Sequence, residues 1–345
     1  MSHAVWAEFM PYSWVQADLK RLAAFDLQLN LAISLATEFS TDLKRLLQAA
    51  AAEGVAIGAW LLLDDRHGYW PNATNASLFH KGVDRFIDWL ASEKLSVREI
   101  IVDMETPLMM SRILKTQLFT GIKLEYRRWL SADNHLQFWQ SVSDFKQIIR
   151  DLHQVGLRAQ VVTYPMIVHD AQAGNTAFQE FLQVPVTPLD WDQISLMVYR
   201  SSFQDVLPFR ISAELVYRYF ALAQHVLHQP VCAALGVIGS IGKVSEGGFQ
   251  DPQALREDLG AARAAGVHSA QLFSLDGMHQ LGNPQDWLSV FHAKAQRPQP
   301  LAGDRLLWQG LLQSHRLLSQ QYTRFWAQSK NEGHPNRLHD PAPNP

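Results

Sequence analysis

Segments with the apolar density of buried strands alternate with segments of helical periodicity eight times along this chain, and no other feature limits its fold as much. AVWAEFMPY is followed by VQADLKRLAAF, LQLNLAIS by TDLKRLLQAAAAEG with its helix-stopping Gly54, VAIGAWLLL by LFHKGVDRFIDWLASEK, and VREIIVDME by HLQFWQSVSDFKQIIRDLHQVG. RAQVVTYPM with NTAFQEFLQ, DQISLMVYR with ISAELVYRYFALAQHVLHQ, PVCAALGVIG with DPQALREDLGAARAAG, and VHSAQLFSL with PQDWLSVFHAKA complete the series. Apolar runs without strict polar alternation are what strands covered on both faces require. Eight strand-then-helix units over roughly 290 residues fit one (β/α)8 TIM barrel of the α/β class, which takes about 250 residues plus insertions. No GxGxxG follows the first strand, which disfavours a doubly wound open sheet. The predicted organisation is a barrel over residues 1–298 and an appended C-terminal helix over 299–328 behind the linker RPQPLAGD. A disordered tail over 329–345 follows. Residues 107–133 form an insertion after the fourth strand.

Composition narrows the function classes. A formal net charge of −3 without a long basic run gives no electrostatic footprint for nucleic acid or an acidic membrane. No window approaches the roughly 18 apolar residues of a membrane span, and MSHAVWAEFMPYSW has no basic region followed by an apolar one, so the expected place is the cytoplasm. The single cysteine, Cys232, lies in PVCAALGV and is expected in the core. Two sequons, at Asn72 and Asn75, read as capping for the helix that follows rather than as glycan acceptors. Trp14, Trp89, Trp139, Trp287 and Trp326 fall in helical periodicities and are expected in the core.

The fourth strand, REIIVDMETP, ends in two carboxylates. Side chains alternate along a strand, so Ile101, Asp103 and Glu105 share one face while Ile100, Val102 and Met104 point at the helices. With the first set facing the barrel axis, both acids emerge at the C-terminal mouth, where barrel enzymes keep their chemistry. The competing reading is a structural pair held by arginines such as Arg200 or Arg66.

A strand ending in Asp103-x-Glu105 resembles the fourth strand of glycoside hydrolase family 18, the chitinases and endo-N-acetylglucosaminidases, whose signature ends D-x-D-x-E. AIGAW at 56–60 is similar to the family's third-strand S-x-G-G, LMVYR at 196–200 to its sixth-strand M-x-Y-D, and FSLD at 273–276 to its eighth-strand W-x-x-D. Arg98 and Ile101 stand in place of the family's first two acids, Arg200 replaces an aspartate, and Phe273 replaces the tryptophan that floors the sugar subsite. The resemblance implies a retaining, substrate-assisted glycosidase or transglycosidase without a cofactor, acting on a glycan that contains an N-acetylated sugar. It implies Glu105 as general acid, Asp103 as the group that orients the acetamido nitrogen, and Tyr199 as a donor to the acetamido oxygen. Met197, Phe273, Asp276, Tyr164, Trp60 and Glu8 are the expected substrate-binding residues. Arg200 is expected either to clamp an anionic group on the glycan or to turn inward to Asp103 or Glu105.

Other residues near the mouth carry weaker signals. His169 and Asp170, after the fifth strand, read as a surface loop pair. Asp64, Asp65, Arg66, His67, Tyr69 and Trp70 form either a sugar platform or a solvated loop. Two other functions stay open: a metal-dependent barrel using Asp103, Glu105, His169 and Asp276 as ligands, unsupported by any HxH or HExxH spacing, and a non-catalytic sugar-binding barrel.

Overall fold

The computed structural model describes residues 3–243 and 247–331. Eight parallel strands close into a barrel in sequence order: β1 (His3–Ala7), β2 (Leu27–Ser34), β3 (Ile57–Leu62), β4 (Glu99–Asp103), β5 (Arg158–Thr163), β6 (Gln193–Met197), β7 (Val231–Gly236) and β8 (Ser269–Phe273). Pairing of Ala4 with Gln271 joins β8 back to β1. The interleaved helices are α1 (Tyr12–Ala24), α2 (Thr41–Ala52), α3 (Ala76–Glu93), α4 (Leu108–Thr116), α5 (Leu118–Trp129), α6 (Ala132–Gln154) and α7 (Ile167–Ala173). They continue with α8 (Ala177–Leu182), α9 (Arg200–Val206), α10 (Glu214–Val226), α11 (Pro252–Ala264), α12 (Leu275–Gln280), α13 (Pro284–Leu288) and α14 (Ala302–Asn331). The expected (β/α)8 barrel is thus the fold, with α4 and α5 forming the insertion.

Local chemistry sets many of the boundaries. Ser40, Ser131 and Asp251 cap α2, α6 and α11 by accepting from Leu43, Asn134 and Gln253, and Pro252 opens α11 where its missing N–H is harmless. Gly54 follows α2 at φ 72°, a left-handed geometry that glycine adopts without strain. Two expected strands stop early. Glu8, Phe9 and Met10 leave the first because their backbone N–H groups turn to Asp276, and the sixth ends at Met197, so Arg200 opens α9 instead of closing a strand.

Two apolar clusters fill the molecule. The outer one lies between strands and helices and includes Ile100, Val102 and Met104; the inner one fills the upper barrel with Trp6, Trp60, Ile101 and Val162. Below it the barrel interior is polar. Gln28 donates to Asn30 at 2.8 Å and to Glu99 at 2.6 Å, and Gln160 donates to Ser195 at 2.9 Å. Gly58 makes room for this layer, since a Cβ there would lie 2.7 Å from both the Asn30 and the Gln28 side chains. Cys232 is buried, its thiol pushed up to about 12 by burial.

Helix α14 packs on the flank formed by α7, α8 and α10. His315 meets Asp170 at 2.7 Å, Tyr322 donates to Glu180 at 2.7 Å, and Asp304 accepts from the Ser212 backbone and hydroxyl at 2.8 Å. His169 and Asp170 are therefore not a surface pair: α14 buries them, and Asp170 also accepts from the backbone of Phe178 and Gln179 at the start of α8. Trp14 departs from expectation in the other direction, lying 66% exposed. The Trp326 side chain and the expected tail beyond residue 331 lie outside the described residues, while 329–331 belong to α14.

His169 is 2% exposed between Tyr219 of α10 and Trp308 and His315 of α14. Burial, with His315 beside it, lowers its pKa from 6.5 to about 4. Between those values the unfolded chain binds the proton that the folded chain refuses. Stability from this group is complete above about pH 6.5 and is lost as pH falls toward 4, about 3 kcal/mol in all. Urea unfolding at pH 7, 5.5 and 4 should show this slope, and His169→Phe should remove it; an unchanged slope in the variant would contradict the assignment.

Candidate active site

The end of β4 places the two acids. Ile101 belongs to the inner cluster and its neighbours Ile100 and Val102 to the outer one, so Asp103 continues the inward face and is 4% exposed. The Met104 N–H donates to the Val162 carbonyl at 2.7 Å, and the Thr163 hydroxyl donates to the Met104 carbonyl, which extends the strand past its last paired residue. Glu105 follows at the mouth, where the Tyr164 hydroxyl donates to its Oε2 at 3.0 Å. Burial first, and then the Glu105 carboxylate, hold Tyr164 well above the ordinary phenol range. Tyr164 is therefore a neutral donor that fixes one Glu105 oxygen, and its own oxygen accepts from the Thr106 N–H at 3.4 Å.

A third carboxylate comes from the opposite side of the mouth. Glu8 accepts a 2.7 Å hydrogen bond from Tyr69, whose hydroxyl is held above its ordinary pKa by burial, then by Glu8, with Asp103 contributing further. Tyr69 lies at φ 63°, a conformation rare for an aromatic residue. Asp276 fixes the position of Glu8, accepting from the N–H groups of Glu8, Phe9 and Met10 at 3.0, 2.8 and 2.8 Å. The expectation that Asp276 binds substrate is corrected: its carboxylate ties the β1 loop to α12 because three converging N–H groups satisfy a buried anion.

Aromatic side chains line the inner cluster beneath the acids. Trp6 and Trp60 meet edge to face at 4.9 Å, Trp60 meets Phe273 at 6.3 Å, and Phe273 stacks with Tyr199 at 6.3 Å and 25°. Met197 packs on the same cluster. Asp103, Glu105, Tyr164, Tyr199, Met197, Phe273 and Glu8 thus come from the ends of strands or the loops just after them, while Trp60 sits within β3.

Arg200 takes neither expected arrangement. Its guanidinium donates to Asp258 at 2.6 Å, to the Ala254 carbonyl at 2.8 Å and to Glu257 at 3.4 Å, all on α11, and lies over the Phe249 ring. The chain leaves β6 after Met197, and the first residue of α9 already points its side chain toward the helix layer. Arg66 pairs with Asp64 at 3.1 Å. The proposed metal ligands are likewise dispersed, with His169 under α14 and Asp276 on backbone N–H groups. Among the described residues, the group that could hold a metal is His80, Asp84 and Asp151, on α3 and α6. Asn72 and Asn75 are buried and bond the carbonyls of Trp70 and His67, so neither side chain presents itself to a glycosylating enzyme, and Asn75 makes no side-chain cap. No described helix is long and apolar enough to cross a membrane.

Sequence reasoning missed the part played by Lys243, which bonds Asp65 at 2.9 and 3.2 Å and lies 4.5 Å above the Tyr69 ring. A lone lysine in a glycine- and serine-rich loop carries no sequence signal for that contact.

No model of a known protein family matches the chain, and no curated protein matches it. Solved structures share its fold. A GH18 chitinase from Pseudoalteromonas aurantia superimposes with a TM-score of 0.52 at 11% identity, covering 85% of this chain and 99% of that one. A beta-galactosidase from the psychrophilic Marinomonas ef1 gives 0.51 at 12% identity, covering 92% of this chain and 59% of that one. At such identities the likeness establishes the barrel architecture.

Proposed function

We propose that this barrel is a carbohydrate-active enzyme, a retaining, substrate-assisted glycosidase or transglycosidase acting on a glycan that contains an N-acetylated sugar. The observation that carries the reading is the inward Asp103 followed by Glu105, whose oxygen is held by the neutral Tyr164 hydroxyl. The fold shared with a chitinase and a beta-galactosidase supports a glycan as the substrate class.

In this reading the protonated Glu105 carboxyl donates its proton to the glycosidic oxygen as the bond to the anomeric carbon breaks. The substrate's acetamido oxygen attacks that carbon from the other side, and the positive charge spreads over the ring that forms. Asp103 accepts from the acetamido N–H and stabilises that charge, while the Tyr199 hydroxyl donates to the acetamido oxygen. Glu105, now ionised, takes a proton from the incoming water or sugar hydroxyl as its oxygen bonds the anomeric carbon and the acetamido oxygen leaves, which reopens the ring and returns the acid to its starting form. Phe273 offers an apolar face to the sugar ring, with the buried Trp60 packed against it from below. Since Arg200 is bound to α11, the anionic-substrate reading has lost its cation.

A thiazoline analogue of the cyclised sugar should bind in calorimetry and inhibit turnover of N-acetylated glycosides. Cleavage of sugars lacking the acetamido group, undisturbed by the analogue, would point to two-carboxylate chemistry instead. Asp103→Asn and Tyr199→Phe should each lower kcat by roughly 10² with KM little changed, as loss of one preorganised contact does; steady-state kinetics on an N-acetylated glycoside checks this.

A further inference from the structure

Helix α3 leads into β4, and α6 follows the insertion that β4 opens; the two helices pack on each other through Phe79 and Phe145, whose rings stand 6.4 Å apart. Where solvent reaches this seam, the Nε2 of His80 on α3 faces two carboxylates at once. The Oδ2 of Asp151 on α6 lies 3.0 Å from it, and the Oδ1 of Asp84 on α3 lies 3.7 Å from it. All three atoms fall within 4.8 Å of one another. A spacing of four residues puts His80 and Asp84 on one face of α3, and α6 supplies the third group from across the seam. Gln147, one turn before Asp151, donates to its other oxygen at 2.7 Å and so keeps Oδ2 turned toward the imidazole.

A hydrogen bond between the helices accounts for part of this arrangement only. One imidazole N–H serves one carboxylate, here Asp151, and among the described residues no lysine or arginine pairs with either acid. Two negative charges thus share a single imidazole nitrogen, a combination that a divalent cation between them relieves. Zn²⁺ bonds of about 2.0–2.2 Å set tetrahedral donors roughly 3.3–3.6 Å apart. The 3.0 and 3.7 Å separations come close to that edge, and Asp84, 54% exposed, has room to turn its oxygen inward for the third. One nitrogen and two carboxylate oxygens are too few protein ligands for Ca²⁺, and the imidazole selects Zn²⁺ over Mg²⁺. We propose that His80, Asp84 and Asp151 form a Zn²⁺ site, completed by water, that clamps α3 to α6 on the outer layer of the barrel. The clamp is separate from the chemistry at the mouth. It braces the helices that flank, in the chain, the strand ending in Asp103.

The test uses the full chain, freed of metal with a chelator and dialysed to neutral pH, with Zn²⁺ itself as the probe. Calorimetry should show one ion bound per chain, and His80→Ala, Asp84→Ala and Asp151→Asn should each weaken its binding at least roughly tenfold. The three side chains are partly exposed, so the variants keep the fold, which circular dichroism checks. An equal concentration of Mg²⁺ should leave the titration unchanged. Backbone hydrogen exchange then reads the clamp: Zn²⁺ should slow exchange in both α3 and α6 of the wild type and in neither helix of the variants. A folded wild type that takes up no Zn²⁺ overturns the site. Unchanged affinity in any one of the three variants overturns it as well, since the ion then sits elsewhere. Displacement of Zn²⁺ by Mg²⁺ at equal concentration overturns the choice of metal, and bound Zn²⁺ that slows exchange in α3 alone overturns the clamp.

Discussion

Glu105→Gln is expected to lower turnover by roughly 10³-fold, within the span that general acid–base groups supply, while leaving the fold and the affinity for a thiazoline analogue nearly unchanged. The amide keeps the shape and can still accept the Tyr164 hydrogen bond through its oxygen, so only the transferable proton is lost. Burst kinetics and calorimetry on the same preparation separate the two effects. Full activity in this variant would remove Glu105 from the chemistry and with it the proposed mechanism. Loss of activity together with loss of binding would mean that the carboxylate serves the ligand and not the proton transfer.

The largest effect on stability is expected at Asp276. Replacement by alanine strips three backbone N–H groups, those of Glu8, Phe9 and Met10, of their acceptor in a part-buried junction between β1 and α12. Each buried donor left unmet costs about 1–3 kcal/mol, and some recover through water because Phe9 is partly exposed, so a loss of about 4 kcal/mol is expected. Asp276→Asn should lose about half as much, since its carbonyl oxygen still serves Phe9 and Met10 while its amide faces the Glu8 N–H. Urea unfolding measures both. A loss under about 1 kcal/mol for the alanine variant would mean that the β1 loop holds its course by other contacts. Activity should fall as well, because the same three bonds fix the backbone that carries Glu8 toward Tyr69.

Asp276 and Arg200 show where a sequence motif stops being informative. Both sit in tetrapeptides that resemble sugar-binding positions, and both are polar residues near strand ends. Yet the early end of β6 at Met197 carries the Arg200 guanidinium, at the start of α9, to Asp258 on the outer layer, and the early departure of the chain from β1 brings three N–H groups onto Asp276. A charged side chain spends its hydrogen bonds on whichever partners the folded chain presents, and those partners lie 54 to 268 residues away.

The barrel was legible in the chain's residues, because strand and helix periodicities are local and their eightfold alternation admits few closed solutions. So was the direction of the β4 side chains, because a period of two leaves Asp103 and Ile101 on one face and Ile100 and Val102 on the other. Which polar groups meet depended on the folded chain. It took the course of the loop after β7 to bring Lys243 over Tyr69, and the docking of α14 to bury His169 and Asp170. Such contacts join residues far apart in the chain through loop paths that no local pattern encodes, and their geometry exists only once the barrel has closed.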